Sequence, residues 1–380
     1  MEITEWFKTK QSPFCEIDPY NPNNTVEGYI SRDATAYYGA LLILKINGKD
    51  VSPQLIMGTP KMHYPFDERA DGTRKYYFPF TTKRMVKTID VYEKLDGTNI
   101  LYYKYTDGKN TFWTCKTRLR PFVGSSRFGD FKTMWDEVSI PYLFDIKVLA
   151  TKFNCNLSFE LYGSRNPHLI MYDIPLDIAL LFGVTNQGNI ITLKHMDVNE
   201  SSIPYVKLLY SIDRDYVWNY EEQKKTLQSG LKKEEDSYYT GMEGHVWYIN
   251  SHQDKWLQYK CKPDTIEAIH FAAGAGINKN IILATCWNAL ENTSELTVDF
   301  IKELLNEEFD KHTVETAHYA IPGCIGIVMG ELVFRDKVLN EYKNLGMDIN
   351  LDKAGVMRGI STRFDKKDMR KVYNRIVSFG

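Results

Sequence analysis

Two hydrophobic rhythms divide this chain, and the switch between them near Lys262 constrains its fold more than any other feature. Before the switch, short runs rich in Tyr, Phe, Val, Ile and Thr alternate with turn residues, which suits half-buried strands. "NILYYKYTDGKNTFWTCKTR" predicts a hairpin turning at Asp107-Gly108, and "AYYGALLILKINGKDV" a strand pairing around Asn47-Gly48. "NLSFELYG", "IALLFGVTNQGNIITL", "GHVWYIN" and "WLQYKCK" read as further strands. Helix is expected over 129–152. "EEQKKTLQSGLKKEE" is polar all round, so a solvated helix or mobile segment is expected there. After Lys262, "PDTIEAIHFAAGAGINKNIILATCWNALEN" and "SELTVDFIKELLNEEFDK" carry apolar residues at helical spacing. Ser294 with Thr297 to Asp299 marks a helix start, and Asp365, with Asp368 beyond it, is a candidate N-cap. The expected fold class is α+β: an antiparallel-sheet domain over 1–265, then an all-helical C-terminal domain over 266–380.

A chain of 380 residues, 43% hydrophobic and 25% charged, has material for two such units. Its net charge of −2 gives no chain-wide signal for nucleic acid, so any basic surface must be local. One candidate is 351–380, where eight Lys/Arg face three Asp, and 8 − 3 leaves +5. That run is either a solvated helix face or a phosphate-backbone contact. Cysteines at 15, 115, 155, 261, 286 and 324 form no CxxC pair, which argues against structural zinc and a disulfide framework. The N-terminus has no apolar secretory core, and no apolar run reaches membrane-spanning length. "IPYLFDIKVLA" and "DIALLFGV" are short enough to be buried strands or helix faces. A cytoplasmic protein without a membrane segment is expected.

"VYEKLDGTNI" places Lys94 beside Asp96 and Gly97. A lysine amine can attack an α-phosphorus and form a phosphoramidate if it is neutral. Gly97 would let backbone approach a nucleotide, and Asp96 would orient the amine or hold a metal. Lys-x-Asp-Gly is also an ordinary surface turn, so the motif is weak alone. Further short motifs follow it in order. "CKTRLRP" carries Arg118, "SFELYG" Glu160, "IALLFGV" Phe182, "MEGHVWY" Glu243-Gly244, and "YKCK" Lys260 and Lys262, which share one strand face. His245 is read as structural.

This ordered set resembles the covalent nucleotidyltransferases, the polynucleotide ligases and mRNA capping enzymes, and "KLDGTN" through Asn99 looks like the ATP-dependent RNA ligases in particular. The resemblance implies an ATP-grasp-like adenylation domain in which Lys94 attacks the α-phosphate of ATP. Lys260 and Lys262 would neutralise charge on that phosphate and help keep Lys94 deprotonated. Glu243 and Asp96 would hold Mg²⁺ or Mn²⁺ or its waters. Glu160 would accept from a ribose hydroxyl, Arg118 would hold a phosphate, and Glu93 would contact the base. Gly97 and Asn99 would line the nucleotide and Phe182 would lie near the adenine, although Gly183 follows it where the family has a Phe-Asp pair. DNA ligases and capping enzymes carry a small β-barrel after the Lys-x-Lys strand. Here the pattern turns helical, a layout that resembles phage T4-type tRNA-repair ligases. The implied activity joins RNA 3′-hydroxyl and 5′-phosphate ends through Lys94-AMP and an RNA-adenylate, with tRNA a candidate substrate and no obligate protein partner. The alternatives are an mRNA guanylyltransferase using GTP and a non-catalytic RNA-binding protein on the same fold.

Overall fold

A computed structural model describes residues 3–33, 36–68, 74–76, 86–126, 129–166, 168–212, 216–234, 239–251, 256–270, 277, 279–306, 309, 314–315 and 317–379. Strands β1 (Ser12–Ile17), β2 (Thr25–Ile30), β3 (Leu41–Ile46) and β4 (Lys49–Ile56) form an antiparallel meander. Its β3–β4 turn has Asn47 and Gly48 at φ 53° and 72°, the left-handed pair that a tight hairpin requires.

The next strands run consecutively in sequence but lie in different sheets. β5 (Val86–Lys94) ends, and β6 (Thr98–Thr106) begins in another layer. β6 pairs with β7 (Thr111–Thr117), as the Asp107-Gly108 hairpin predicts; Asp107 Oδ1 accepts from the amides of Lys109 (2.8 Å) and Asn110 (2.6 Å). On its other side β6 meets β8 (Asn156–Tyr162), followed by β9 (Asp177–Val184) and β10 (Ile190–Ile191). β5 instead lies between β11 (Leu208–Ile212) and β12 (Gly244–Ser251), with β13 (Trp256–Cys261) outside β12. The residues between β5 and β6 therefore carry the chain from one antiparallel sheet to the other.

The helical reading of 129–152 is met by α1 (Phe131–Ser139) and α2 (Leu143–Lys152), with Pro141 in a 3-10 turn between them. Asp130 caps α1 by accepting from the Lys132 amide at 3.3 Å. α1 buries Phe131, Met134 and Trp135, whose indole meets Phe159 edge-on at 5.1 Å. "IPYLFDIKVLA" is not a buried face throughout. Ile140, Phe144 and Val148 point outward, Phe144 78% exposed, because the helix presents Ile146 and Leu149 to the sheet instead.

The polar segment after 216 also departs from expectation. It forms α3 (Tyr216–Gly230), which packs rather than standing in solvent. Tyr220 is fully buried against Trp247 at 5.5 Å. Gln223 Oε1 accepts from Trp247 Nε1 at 2.8 Å, and the buried Lys224 amine donates to the Lys262 carbonyl at 2.9 Å. The sequence looks hydrophilic because these polar side chains are consumed by buried partners rather than by water.

The C-terminal part is helical among the described residues: α4 (Asp264–His270), α5 (Lys279–Ala289), α6 (Val298–Asn306), α7 (Ile321–Leu345), α8 (Lys353–Ile360) and α9 (Met369–Phe379). Residues 271–276 and 278, inside the first predicted helical run, lie outside the described residues. Thr297 Oγ1 accepts from the Phe300 amide at 3.2 Å, at the helix start read from the sequence. Asp365 does not cap α9 through its side chain. It leads into a 3-10 turn over Lys366–Asp368, and only its carbonyl accepts, from the Asp368 amide at 2.9 Å.

One apolar core runs from Phe7 through the sheets into α5, α6 and the first half of α7, where Ile321, Cys324, Val328 and Leu332 are buried. A smaller core of Val338, Ile349, Val356, Ile360, Val372 and Ile376 joins the second half of α7 to α8 and α9. α7 thus belongs to both cores, and Gly346 at φ 61° ends it. Among the described residues no helix is long and apolar enough to cross a membrane, and all cysteines are free.

Candidate active site

Lys94 is the last residue of β5, paired in register with Gly244 of β12, and Glu93 pairs with His245. Successive strand residues face opposite ways, so Lys94 and Glu93 cannot serve the same side. Gly97 is demanded by the crossing itself. A Cβ there would stand 2.3 Å from the Leu161 carbonyl oxygen of β8, so the close approach is to this chain's own backbone. The Gly97 amide donates to Glu160 Oε1 at 3.0 Å. Asp96 is fixed from two sides: its amide donates to the Tyr172 hydroxyl at 2.8 Å, and its Oδ2 accepts from the Ile170 amide at 2.9 Å. Asn99, opposite Glu160 in the β6–β8 register, donates to Ser158 Oγ and the Phe159 carbonyl, both at 2.9 Å. Its buried Oδ1 has no hydrogen-bond partner among the described residues.

The crossing opens into a cavity of about 620 Å³, walled by the sheets and roofed by α5, α6, α7 and α9. Glu243, just before β12, holds two lysines at once. Its Oε2 accepts from Lys94 Nζ at 2.5 Å and its Oε1 pairs with Lys262 Nζ, with the carboxylate side chain only 3% exposed. Burial alone would raise the Glu243 pKa, but Lys262 and Lys94 outweigh it and hold the carboxyl at about 2. Burial pulls Lys94 down, yet Glu243, then Glu160 and Asp96, pull it up further, and its pKa is raised. The amine is therefore held charged in the free protein. The expectation that Lys260 and Lys262 keep it deprotonated is not met here, because the Glu243 carboxylate, 2.5 Å from the amine, favours its charged form. Asp96 is raised by burial and by Glu243, and Glu160 is raised to about 7, chiefly by burial against the pull of Lys94 and Arg118.

Every candidate site residue read from the sequence borders this cavity except Glu93. Glu93 Oε1 accepts from the Lys207 amide at 2.7 Å on the other side of β5. Lys260, on β13, sets its amine 4.4 Å from the centre of the Tyr64 ring. Arg118 follows β7, with its guanidinium 5.9 Å from the Tyr38 ring and a buried Nε lacking a hydrogen-bond partner. Phe182, on β9, is buried edge-on to Tyr248 at 6.4 Å. His245 is structural, as read: its Nδ1 lies 3.0 Å from Gln223 Oε1, and burial lowers it to about 4.

The sequence did not point to several other residues here. His168 Nε2 lies 3.5 Å from Glu291 Oε1 and 3.4 Å from Thr98 Oγ1, and burial lowers its pKa. Glu291 comes from the turn after α5, and burial, against the pull of Arg118, raises it to about 8. A glutamate at the end of a helix more than a hundred residues from Lys94 carries no local signal. Lys116 does carry one, as a lysine on β7 two residues before Arg118, which lies in the turn after the strand. Its buried amine donates to the Thr117 and Arg118 carbonyls, each at 2.8 Å, and so fixes the turn that presents Arg118. Burial, aided by Arg118, lowers the Lys116 pKa to about 7.

No protein-family model matches this chain, and no curated protein matches it in sequence. Among solved structures it is similar to an archaeal ATP-dependent RNA ligase in two forms. The TM-scores are 0.46 and 0.47, at 14% identity over 85% of this chain and 77% of that one. It is also similar to an RNA ligase mutant of Naegleria gruberi with AMP and Mn, TM-score 0.35, at 14% identity over 56% of this chain and 60% of that one.

Proposed function

We propose that this chain is an ATP-dependent RNA ligase working through a Lys94-AMP intermediate. The observation that supports this most is the Glu243 carboxylate held between the Lys94 and Lys262 amines inside a cavity that Glu160 and Arg118 also border. In this reading the sheets of 1–265 form the nucleotidyl-transfer body and the helices of 266–380 help position RNA. Lys94 Nζ loses a proton and bonds to the α-phosphorus of ATP, and the bond to the pyrophosphate oxygen breaks. An oxygen of the RNA 5′-phosphate then bonds to the same phosphorus, the N–P bond breaks, and the amine regains its proton. Finally the RNA 3′-hydroxyl oxygen bonds to the 5′-phosphorus and gives up its proton to solvent, the bond from that phosphorus to the AMP phosphate oxygen breaks, and AMP leaves.

Glu243 gates the first step, because it is shared. When the carboxylate shifts wholly onto Lys262, the Lys94 amine loses the charge that holds its proton. Lys262 and Lys260 then face the charge that builds on the α-phosphate. Glu160 accepts from a ribose hydroxyl, and Phe182 offers its ring to the base. Among the described residues no three His, Cys, Asp or Glu side chains form a metal-ligand group. One Asp96 oxygen is held by Ile170 and both Glu243 oxygens by lysines, so these carboxylates would hold a divalent ion through its waters rather than directly. Asp96 and Glu243 would hold those waters, and the ion would supply charge neutralisation to the phosphates.

The test is the intact mass of purified protein incubated with Mg²⁺ and either ATP or GTP, without RNA. One AMP added from ATP alone, mapping to Lys94, is the expected result. A GMP adduct from GTP would move the assignment to guanylyl transfer. No adduct, from protein that did not start out adenylylated, would favour a non-catalytic RNA-binding protein.

A further inference from the structure

The cavity has a second charged end, built by helices. Glu331 of α7 and Lys371 and Arg375 of α9 border the same cavity as Lys94. Lys371 Nζ lies 2.5 Å from Glu331 Oε2, while Arg375 donates to Oε1 from Nε at 3.0 Å and from Nη2 at 2.8 Å. Lys371 and Arg375 are four residues apart, so they share one face of α9. The arginine side chain is 7% exposed and the lysine 34%, so one cation is fixed while the other opens to solvent. Among the described residues, Glu331 is the carboxylate that holds both cations at this part of the cavity. α9 also has an apolar anchor of its own, since Val372 and Ile376 are fully buried in the helical core.

We infer that Lys371 and Arg375 form a receiving site for a terminal phosphate, the 5′-phosphate of an RNA strand, with Glu331 occupying the site until that phosphate displaces it. A phosphomonoester dianion offers the oxygens that a carboxylate offers to a guanidinium fork, with more charge. The β- and γ-phosphates of a nucleotide share this chemistry. The strand end is favoured because Lys94, Lys260 and Lys262 already supply cations at the sheet end of the cavity. The inference rests on the ligase reading, which requires a strand 5′-phosphate to enter the cavity of Lys94.

The test is equilibrium binding of a fluorescent oligoribonucleotide, bearing either a 5′-phosphate or a 5′-hydroxyl, to the full chain without nucleotide. Because it reads binding alone, it fails separately from AMP uptake by Lys94. The wild type is expected to bind the phosphorylated strand about tenfold more tightly. Lys371→Ala should reduce that preference to about twofold or less. Glu331→Gln keeps a hydrogen-bonding group but removes the competing charge, so it should widen the preference. A purely structural tether would instead lose thermal stability in Glu331→Gln with no gain in phosphate preference, and that result would overturn the inference. Equal affinity of the wild type for both strands would also overturn it. So would loss of tripolyphosphate binding in Lys371→Ala with the 5′-end preference intact, which would assign the site to the nucleotide tail.

Discussion

The two ends of the cavity use one charge arrangement in two settings. At the sheet end Glu243 lies between Lys94 and Lys262, and at the helical end Glu331 lies between Lys371 and Arg375. Glu243 is 3% exposed and its pKa falls to about 2, whereas Glu331 is 19% exposed. The first trio is locked by low dielectric surroundings, and the second is partly screened by water. The same three charges therefore make a rigid element where strands bury them and an exchangeable one where helices leave them half open.

The largest way to break the comparison lies at its reactive member. Lys94→Ala should reduce AMP uptake from ATP by at least about a thousandfold, read by intact mass, while the helical end keeps its RNA binding. A surviving adduct would mean that another nucleophile serves. Glu243→Gln leaves two buried lysines without their shared anion and should cost about 3 kcal/mol in urea unfolding at pH 7. The sign at low pH follows from the depressed pKa: the Glu243 contribution is complete above its ordinary 4.5 and is lost as pH falls toward about 2. The unfolding free energy of Glu243→Gln should therefore converge on the wild type in acid.

Glu291 titrates the opposite way. An acid raised from 4.5 to about 8 binds its proton more tightly when folded, so its effect on stability worsens as pH rises through that window. Glu291→Gln should stabilise the chain by about 1–2 kcal/mol at pH 9 and change little at pH 4, read as the difference in urea midpoints. The smallest effect belongs to Lys371, the most exposed member of the helical trio. Lys371→Ala should cost under about 1 kcal/mol of stability. A loss as large as that of Glu243→Gln would erase the distinction between the two ends.

The residues themselves carried much of this architecture. Short runs rich in Tyr, Phe, Val, Ile and Thr marked β6, β7, β8, β9, β12 and β13, Asp-Gly and Asn-Gly marked two hairpins, and helical spacing marked α5 and α6. Local chemistry decides these features, because a turn needs its φ angles and a half-buried strand its alternation. α3 is the helix the sequence allows, but one of its faces is buried because Gln223 and Lys224 bond to Trp247 of β12 and to the Lys262 carbonyl after β13, which no local pattern encodes. Asp365 stands at the N-cap position read from the sequence, but of a 3-10 turn before α9, and without a side-chain capping bond. Glu93 shares the motif of Lys94 but faces Lys207, as strand alternation requires.

Sequence alone determined the alternation of strands and helices and the short runs in which Lys94, Glu160, Glu243 and Lys262 stand, because those depend on neighbours a few residues apart. Only the tertiary structure decided that β5 and β6 lie in different sheets. That crossing sets Lys94 on a cavity that α7 and α9 also line. It also decided that Lys94 is held charged, since a pKa depends on which carboxylates stand nearby in space, and here those come from residues as far apart in the chain as Asp96 and Glu243.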